Sequence, residues 1–248
     1  MNSLRTALIV LLFLCSGAAA QDTLRIMSYN IRNCRGIDGV CDIRRTADII
    51  KKSRADIIAL QEVDSATRRS GGIFIADTLA TLCNMRACFS AAIEYDGGKY
   101  GVAILSKEPP AATRSIALPG REEPRTLLLA EFPRLTFACT HLSLNADDRL
   151  ASLAIIDSTA KASAQPFVVA GDLNDHPQSP FIKIMLTNWL LLSPADRPTF
   201  PADRPTATID YIATLHDKAQ SIRVSDTRVL DEPAASDHRP ILTTIIVE

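Results

Sequence analysis

An α+β fold, with sheets packed face to face and helices outside, is predicted by three features of the 248-residue sequence. Strand signals outnumber helix signals, roughly ten short apolar runs against about three helical segments. Several of those strands follow one another without a helix between them, and Pro and Gly punctuate the run as turns. The composition is that of a folded globule: 47% hydrophobic, 22% charged, net charge −1. Disordered, collagen-like and coiled-coil chains are excluded on that balance, and so is a strongly basic nucleic-acid wrapper.

Residues 1–20 carry Arg5, then an apolar stretch over 7–14, then Ser-Gly-Ala-Ala-Ala. This reads as a signal peptide cleaved near Ala20-Gln21, so the protein is expected to be secreted or periplasmic. The apolar stretch is far shorter than the ~20 residues needed to span a bilayer. Bulky Phe13 and Leu14 disfavour lipoprotein processing at Cys15. Losing this segment removes Arg5 and no acid, which leaves a net charge of −2. No repeat, low-complexity tract or Gly/Ser linker follows, so residues 21–248 are expected to form one domain, a monomer without a transmembrane segment. Export permits disulfides, and spacing suggests Cys34 with Cys41 and Cys83 with Cys88, leaving Cys139 as a packed free thiol.

In chain order, residues 24–30 alternate like a strand, and Asp42 caps a helix over about 43–53 with Ala47 and Ile50 on one face. A buried-strand run over 56–60 ends at Gln61-Glu62; a helix follows over 73–82, then strands near 87–93 and 101–106. The meander continues over 113–118, 126–132 and 135–142, with a helix from Asp147 to about Ser163. A short apolar strand, 167–170, stops at Gly171-Asp172-Leu173-Asn174. A Pro-rich loop over 193–205 leads to strands over 207–213, 222–229 and 240–247.

Apolar strands in this reading repeatedly end in acidic, amide or imidazole residues: Asn30, Glu62, His141, Asp172, Asn174, Asp210, Asp237 and His238. Any one of them could be a turn or cap residue. Gathered at one rim of a sheet scaffold they would form a site. Its carboxylates and amides are hard oxygen donors, suited to Mg²⁺, Mn²⁺ or Ca²⁺ rather than zinc, and only four His are present.

Seven segments, in order, resemble the endonuclease/exonuclease/phosphatase superfamily, the DNase I-like fold. They are 28–32 (Ser-Tyr-Asn-Ile-Arg), 60–63 (Leu-Gln-Glu-Val), 100–106 (Tyr-Gly-Val-Ala-Ile-Leu-Ser), 140–142 (Thr-His-Leu), 171–174 (Gly-Asp-Leu-Asn), 209–212 (Ile-Asp-Tyr-Ile) and 236–240 (Ser-Asp-His-Arg-Pro). The stretch 199–206 also looks like small bacterial hydrolases of this family. The resemblance implies a four-layer αββα sandwich and metal-dependent hydrolysis of a phosphoester, in which a divalent cation neutralises charge on the phosphate. It implies Glu62 as the metal carboxylate with Asn30 and Asp237, and Asp172 activating the water with Asn174 steadying it. His238 would contact the phosphate, positioned by Asp210; His141 would be a second phosphate ligand or acid; Arg125 and Tyr100 would bind substrate.

Two features depart from the family pattern. The Glu that pairs with the His141 equivalent in DNase-like members is replaced by Gly97, Gly98 and Lys99, with Glu94 or Asp96 as possible substitutes. His176 and His216 match no motif and read as loop and surface residues. A phosphodiesterase or phosphatase is the favoured reading. An endonuclease on DNA or RNA lacks support from net charge, no aromatic cluster marks a base-stacking platform, and a sphingomyelinase-like enzyme lacks a long apolar hairpin. A catalytically silent binding module of the same fold would have lost a central residue, and none is missing.

Overall fold

A computed structural model of the chain describes residues 22–247. The expected leader over residues 1–20 lies outside the described residues. In order, the elements are β1 (Asp22–Asn30), α1 (Ile43–Ser53), β2 (Ile57–Ser65), α2 (Ile75–Cys83), β3 (Arg86–Tyr95), β4 (Gly98–Ser106), β5 (Ala112–Leu118) and β6 (Arg125–Glu131). There follow β7 (Thr136–His141), α3 (Ala146–Ala162), β8 (Phe167–Asp172), α4 (Pro180–Met185), β9 (Trp189–Leu191), β10 (Asp210–Leu215), β11 (Ile222–Val229) and β12 (Ile241–Val247). One sheet has the order β11-β12-β1-β2-β4-β3 and the other β5-β6-β7-β8-β10-β9. Only β1–β2 and β7–β8 pair in parallel; every other neighbouring pair is antiparallel.

Burial follows the strand period. Ile26, Ala59, Ile104 and Ile245 from one sheet meet Leu128, Phe137, Val168 and Ile212 from the other in the inter-sheet core. The alternate residues Met27, Tyr29, Ile58, Leu60 and Leu105 face α1 and α2, while Leu127, Ala138, Val169 and Ala213 face α3 and α4. Two sheets between two helical layers make the four-layer αββα sandwich expected from the resemblance.

Local chemistry explains the elements that carry the site. Asp42 Oδ1 accepts from the Arg45 N–H at 3.0 Å and starts α1, whose buried face includes Ala47, Ile49 and Ile50. The helix stops at left-handed Arg54 and returns the chain to β2, parallel to β1. At Gly171 a Cβ would lie 2.0 Å from the Thr140 carbonyl oxygen, so β8 can press against β7 beside Asp172 only with glycine there.

Some boundaries differ from expectation. β2 does not end at Gln61-Glu62: the register slips between Leu60 and Val63, and the strand resumes to Ser65. This bulge puts Glu62 at φ 57° and turns it out of the ladder. The helix expected over 73–82 begins at Ile75, because Phe74 still bridges to Ser65. α4 and β9 were not expected. Ser179 capping Ile182 N–H with Pro180 at the first turn was the available signal for α4, whereas a three-residue strand shows no period.

The cysteine pairing requires correction: Cys34, Cys41, Cys83, Cys88 and Cys139 are all free thiols. Cys83 packs with the α1/α2 side of its sheet and Cys88 with the inter-sheet side, so the sheet separates them. Cys34 is fully buried under α1, whereas exposed Cys41 pairs across a β-bridge with Arg35 and directs its Sγ to the Asn33 carbonyl. Cys139 is buried as expected, and burial pushes its thiol up to about 12.

Thiol titration of the denatured, unreduced protein is expected to count every one of these five cysteines, and in the native protein Cys41 should react first. Phe137→Ala empties a fully buried position between the sheets and should lower stability by about 3–5 kcal/mol in denaturant unfolding.

Candidate active site

Strand direction assembles the site. Asn30, His141 and Asp172 end β1, β7 and β8, and Glu62 stands at the bulge of β2. Tyr100 lies near the start of β4, Arg125 and Asp210 open β6 and β10, and Asp237 and His238 precede β12. All lie at one rim of the sandwich, where the two sheets present their strand ends together. Only residues from both sheets complete the group.

Asp172 is its hub. Its Oδ1 accepts from the Asn174 N–H at 2.9 Å, and its Oδ2 accepts from Asn30 Nδ2 at 3.1 Å. The Nε2 atoms of His141 and His238 each stand 3.6 Å from the same Oδ2, beyond hydrogen-bond distance. The other His238 nitrogen, Nδ1, donates to Asp210 Oδ2 at 2.9 Å, and Thr199 Oγ1 donates to that oxygen as well. Phe200 packs against the His238 ring at a tilt of 46°, with centroids 4.9 Å apart. Ser236 Oγ donates to the Asn30 carbonyl at 2.7 Å and ties the His238 loop to β1.

The two imidazoles are driven apart in charge. Burial disfavours the His238 cation, but Asp210 and Asp172 outweigh it and hold the pKa up to about 10. His141 is pushed down to about 4, first by burial and further by Arg125, with Asp172 offsetting only part. At neutral pH the site therefore carries one imidazolium and one neutral imidazole.

Glu62 is held above the usual carboxylate range by burial, with Asp237 and Asp172 adding to the rise; the Asn30 hydrogen bond opposes it. Asn30 Nδ2 donates to Glu62 Oε1 at 2.9 Å as well as to Asp172, so its amide N–H end sits between two carboxylates. Asp237 adds another carboxylate, balanced here by Arg32 at 3.4 Å. Asp210 Oδ1 is buried without a partner. This excess of oxygen donors and negative charge fits a hard divalent cation. The tightest acidic cluster is Asp172, Asp210 and His238. The His238–Asp210 hydrogen bond contributes to that closeness.

The remaining expected residues resolve as follows. Arg125 is 8% exposed, with Nη1 3.0 Å from Glu123 and Nη2 3.4 Å from Glu122; it is not a solvated strand-end charge. Tyr100 is half-buried beside Glu62, Glu123, Arg125 and Arg69, and burial raises its phenol pKa. Asn174 stands in the left-handed region at φ 53° and donates its amide to the Leu142 carbonyl, away from Asp172. Neither substitute carboxylate reaches His141: Glu94 pairs with Lys99, and Asp96 with Arg68 and the Arg69 N–H. His176 and His216 are exposed. Thr199, Phe200, Ser236 and Arg32 were not assigned from sequence. Thr199 and Phe200 lie in the 199–206 stretch, the one signal that marked them.

Comparison with known proteins agrees with this fold. The model of the endonuclease/exonuclease/phosphatase family matches residues 27–238. No curated protein matches the sequence. An endonuclease/exonuclease/phosphatase from Beutenbergia cavernae has a similar structure, with TM-score 0.72 and 23% identity over 91% of this chain and 72% of its own. The mannosyl-6-phosphatase of Bacteroides thetaiotaomicron is similar at TM-score 0.72 and 16% identity, covering 90% of this chain and 99% of its own. ANGEL2, a 2',3'-cyclic phosphatase, matches at TM-score 0.69 and 17% identity over 92% of this chain and 96% of its own. The chain belongs to the endonuclease/exonuclease/phosphatase family, whose members are hydrolases of phosphoesters.

The pKa of His238 lies above the ordinary 6.5, so the stability it contributes is full below that pH and is lost as pH rises through about 10. For His141 the sign reverses, and stability falls as pH drops from 6.5 toward about 4. Imidazole NMR of the metal-free protein should find His238 charged and His141 neutral at neutral pH. Asp210→Asn should bring the His238 transition down by more than about one unit.

Proposed function

We propose that the protein is an exported phosphoester hydrolase, a phosphodiesterase or phosphatase, that depends on a divalent cation. One observation carries the reading: Asn30, Glu62, Asp172, Asp210 and His238 converge through hydrogen bonds from strand ends of both sheets. Export rests on the leader read in residues 1–20, and no helix among the described residues is long and apolar enough to cross a membrane. Residues 21–248 act as one monomeric catalytic domain.

Glu62, with Asn30 and Asp237, would hold the ion, and their oxygen donors suit Mg²⁺, with Mn²⁺ or Ca²⁺ as alternatives. When bound, the ion neutralises charge on the phosphoryl oxygens and stabilises the leaving oxygen. Asp172 accepts the proton of the attacking water; the Asn174 N–H fixes its carboxylate, and the Asn174 side chain lines the same loop. Cationic His238 presents Nε2 to a phosphoryl oxygen, with Asp210 fixing the ring through Nδ1. Neutral His141 offers Nε2 to a second oxygen on the far side of Asp172. Arg125 adds positive charge behind His141, and Tyr100 lines the approach to Glu62.

Assays of the purified protein on bis-p-nitrophenyl phosphate, plasmid DNA, sphingomyelin and inositol phosphates, with Mg²⁺ or Mn²⁺, test this. Turnover of at least one phosphoester is expected, with loss in EDTA and a fall of roughly 10²–10⁴-fold in Asp172→Ala. Absence of turnover on every ester, or equal rates in EDTA and in Asp172→Ala, would overturn it.

A further inference from the structure

Beside the catalytic centre, the β3–β4 hairpin and the start of β6 carry a second set of polar groups. On the first sheet, Tyr95 and Tyr100 lie on the same face of the β3–β4 hairpin with ring centroids 5.9 Å apart. The Arg69 guanidinium covers both rings, 4.4 Å from the Tyr95 centroid and 5.5 Å from that of Tyr100. It is locked by fully buried Asp64, with Nε and Nη2 each donating at 2.7 Å, and Nη1 donates to Tyr95 Oη at 3.3 Å. Opposite, on the second sheet, Arg125 holds Glu123 and Glu122. The two walls are fastened below by Ser90 Oγ and Thr126 Oγ1, 2.8 Å apart.

Tyr100 joins this cluster to the catalytic centre, because Glu62, Glu123, Arg125 and Arg69 all act on its phenol. The groups remain within reach of solvent: Tyr95 is 40% exposed, and the side chains of Arg69 and Glu123 are 35% and 28% exposed.

The charges define what fits. Two guanidinium groups face three carboxyl groups, Asp64, Glu122 and Glu123, and each guanidinium is already paired. A second phosphate would meet no free cation there and two carboxylates instead. A neutral ring carrying hydroxyls finds what it needs, since guanidinium N–H groups donate to it, carboxylates accept from it, and a tyrosine face covers its C–H side.

Resting on the phosphoester-hydrolase reading above, we infer that Arg69, Tyr95 and Glu123 form a leaving-group subsite that selects esters of neutral, polyhydroxylated rings. Tyr95 and Glu123 act here as specificity residues and take no part in bond cleavage.

The test compares kcat/KM for phenyl phosphate, glucose 6-phosphate and fructose 1,6-bisphosphate in the wild type, Tyr95→Ala and Glu123→Gln, each checked for an unaltered melting temperature. The sugar monophosphate should exceed both others by about tenfold or more. Either substitution should cut that preference at least about fivefold. Saturation-transfer NMR of glucose 6-phosphate on metal-free protein should show sugar-ring contacts that weaken in Tyr95→Ala. Preference for the bisphosphate, or selectivity indifferent to both substitutions, would overturn the subsite. Turnover of phenyl phosphate that disappears in Asp172→Ala reports separately on the hydrolase reading, so either can fail while the other is judged.

Discussion

Carboxylates crowded at the junction of two sheets repel one another and lose water, and both effects favour their protonation or separation. Here Asp172 and Asp210 are buried, and Glu62 and Asp237 stand close enough for Glu62 to feel Asp237 and Asp172. The arrangement is tolerated because donors are supplied in fixed positions. The Asn30 amide lies between two carboxylates, a main-chain N–H holds Asp172, and one imidazolium stands between Asp172 and Asp210. That balance forces the division of charge between His238 and His141, and it leaves a local deficit of positive charge near Glu62. The near-neutral chain as a whole does nothing to fill it.

Backbone strain marks the same rim. Glu62 and Asn174 take up left-handed conformations, as do Arg32, Asn33 and Cys34 in succession after Asn30. For L-residues such conformations cost on the order of 1–2 kcal/mol each. Sheet pairing on both sides overdetermines that of Glu62. At β2 the ladder is intact up to Leu60 and resumes at Val63, so the two residues between have no freedom to relax. A regular strand would leave Glu62 inside the ladder, with its direction set by the pleat.

Much of the candidate set is legible in sequence because Asn30, Glu62, His141 and Asp172 follow apolar runs, and strand ends can be read locally. Asp172 after Phe-Val-Val-Ala-Gly and Glu62 after Ile-Ile-Ala-Leu-Gln are examples. What eluded it depends on partners distant in the chain. Thr199 matters through Asp210, and Asp64 through the Arg69 guanidinium that it aims at two tyrosines. The cysteines show the converse error. Four residues separate Cys83 from Cys88, but α2 ends at the first and β3 starts before the second, and spacing says nothing about which face of a sheet each thiol meets. α4 and β9 are too short to show a period and are held by packing, with Trp189 fully buried against Phe167.

The two sheets also share one plan. Reading across each, β11, β12, β1, β2, β4 and β3 correspond in order and direction to β5, β6, β7, β8, β10 and β9. α1 and α3 make the equivalent parallel crossovers. The first sheet joins β1 to β12 through Asp22 and Val247, strands far apart in sequence, while the second draws only on β5 to β10. The two sheets thus share one strand order and one pattern of directions, although no repeat is visible in the residues. That correspondence of strands places Asn30 with His141, Glu62 with Asp172, Tyr100 with Asp210 and His238 with Arg125 as topological counterparts. Each half contributes one member of every pair, and in no pair are the two residues alike. At the rim, equivalent strand ends of the two sheets therefore carry unlike side chains, and the candidate site draws on both.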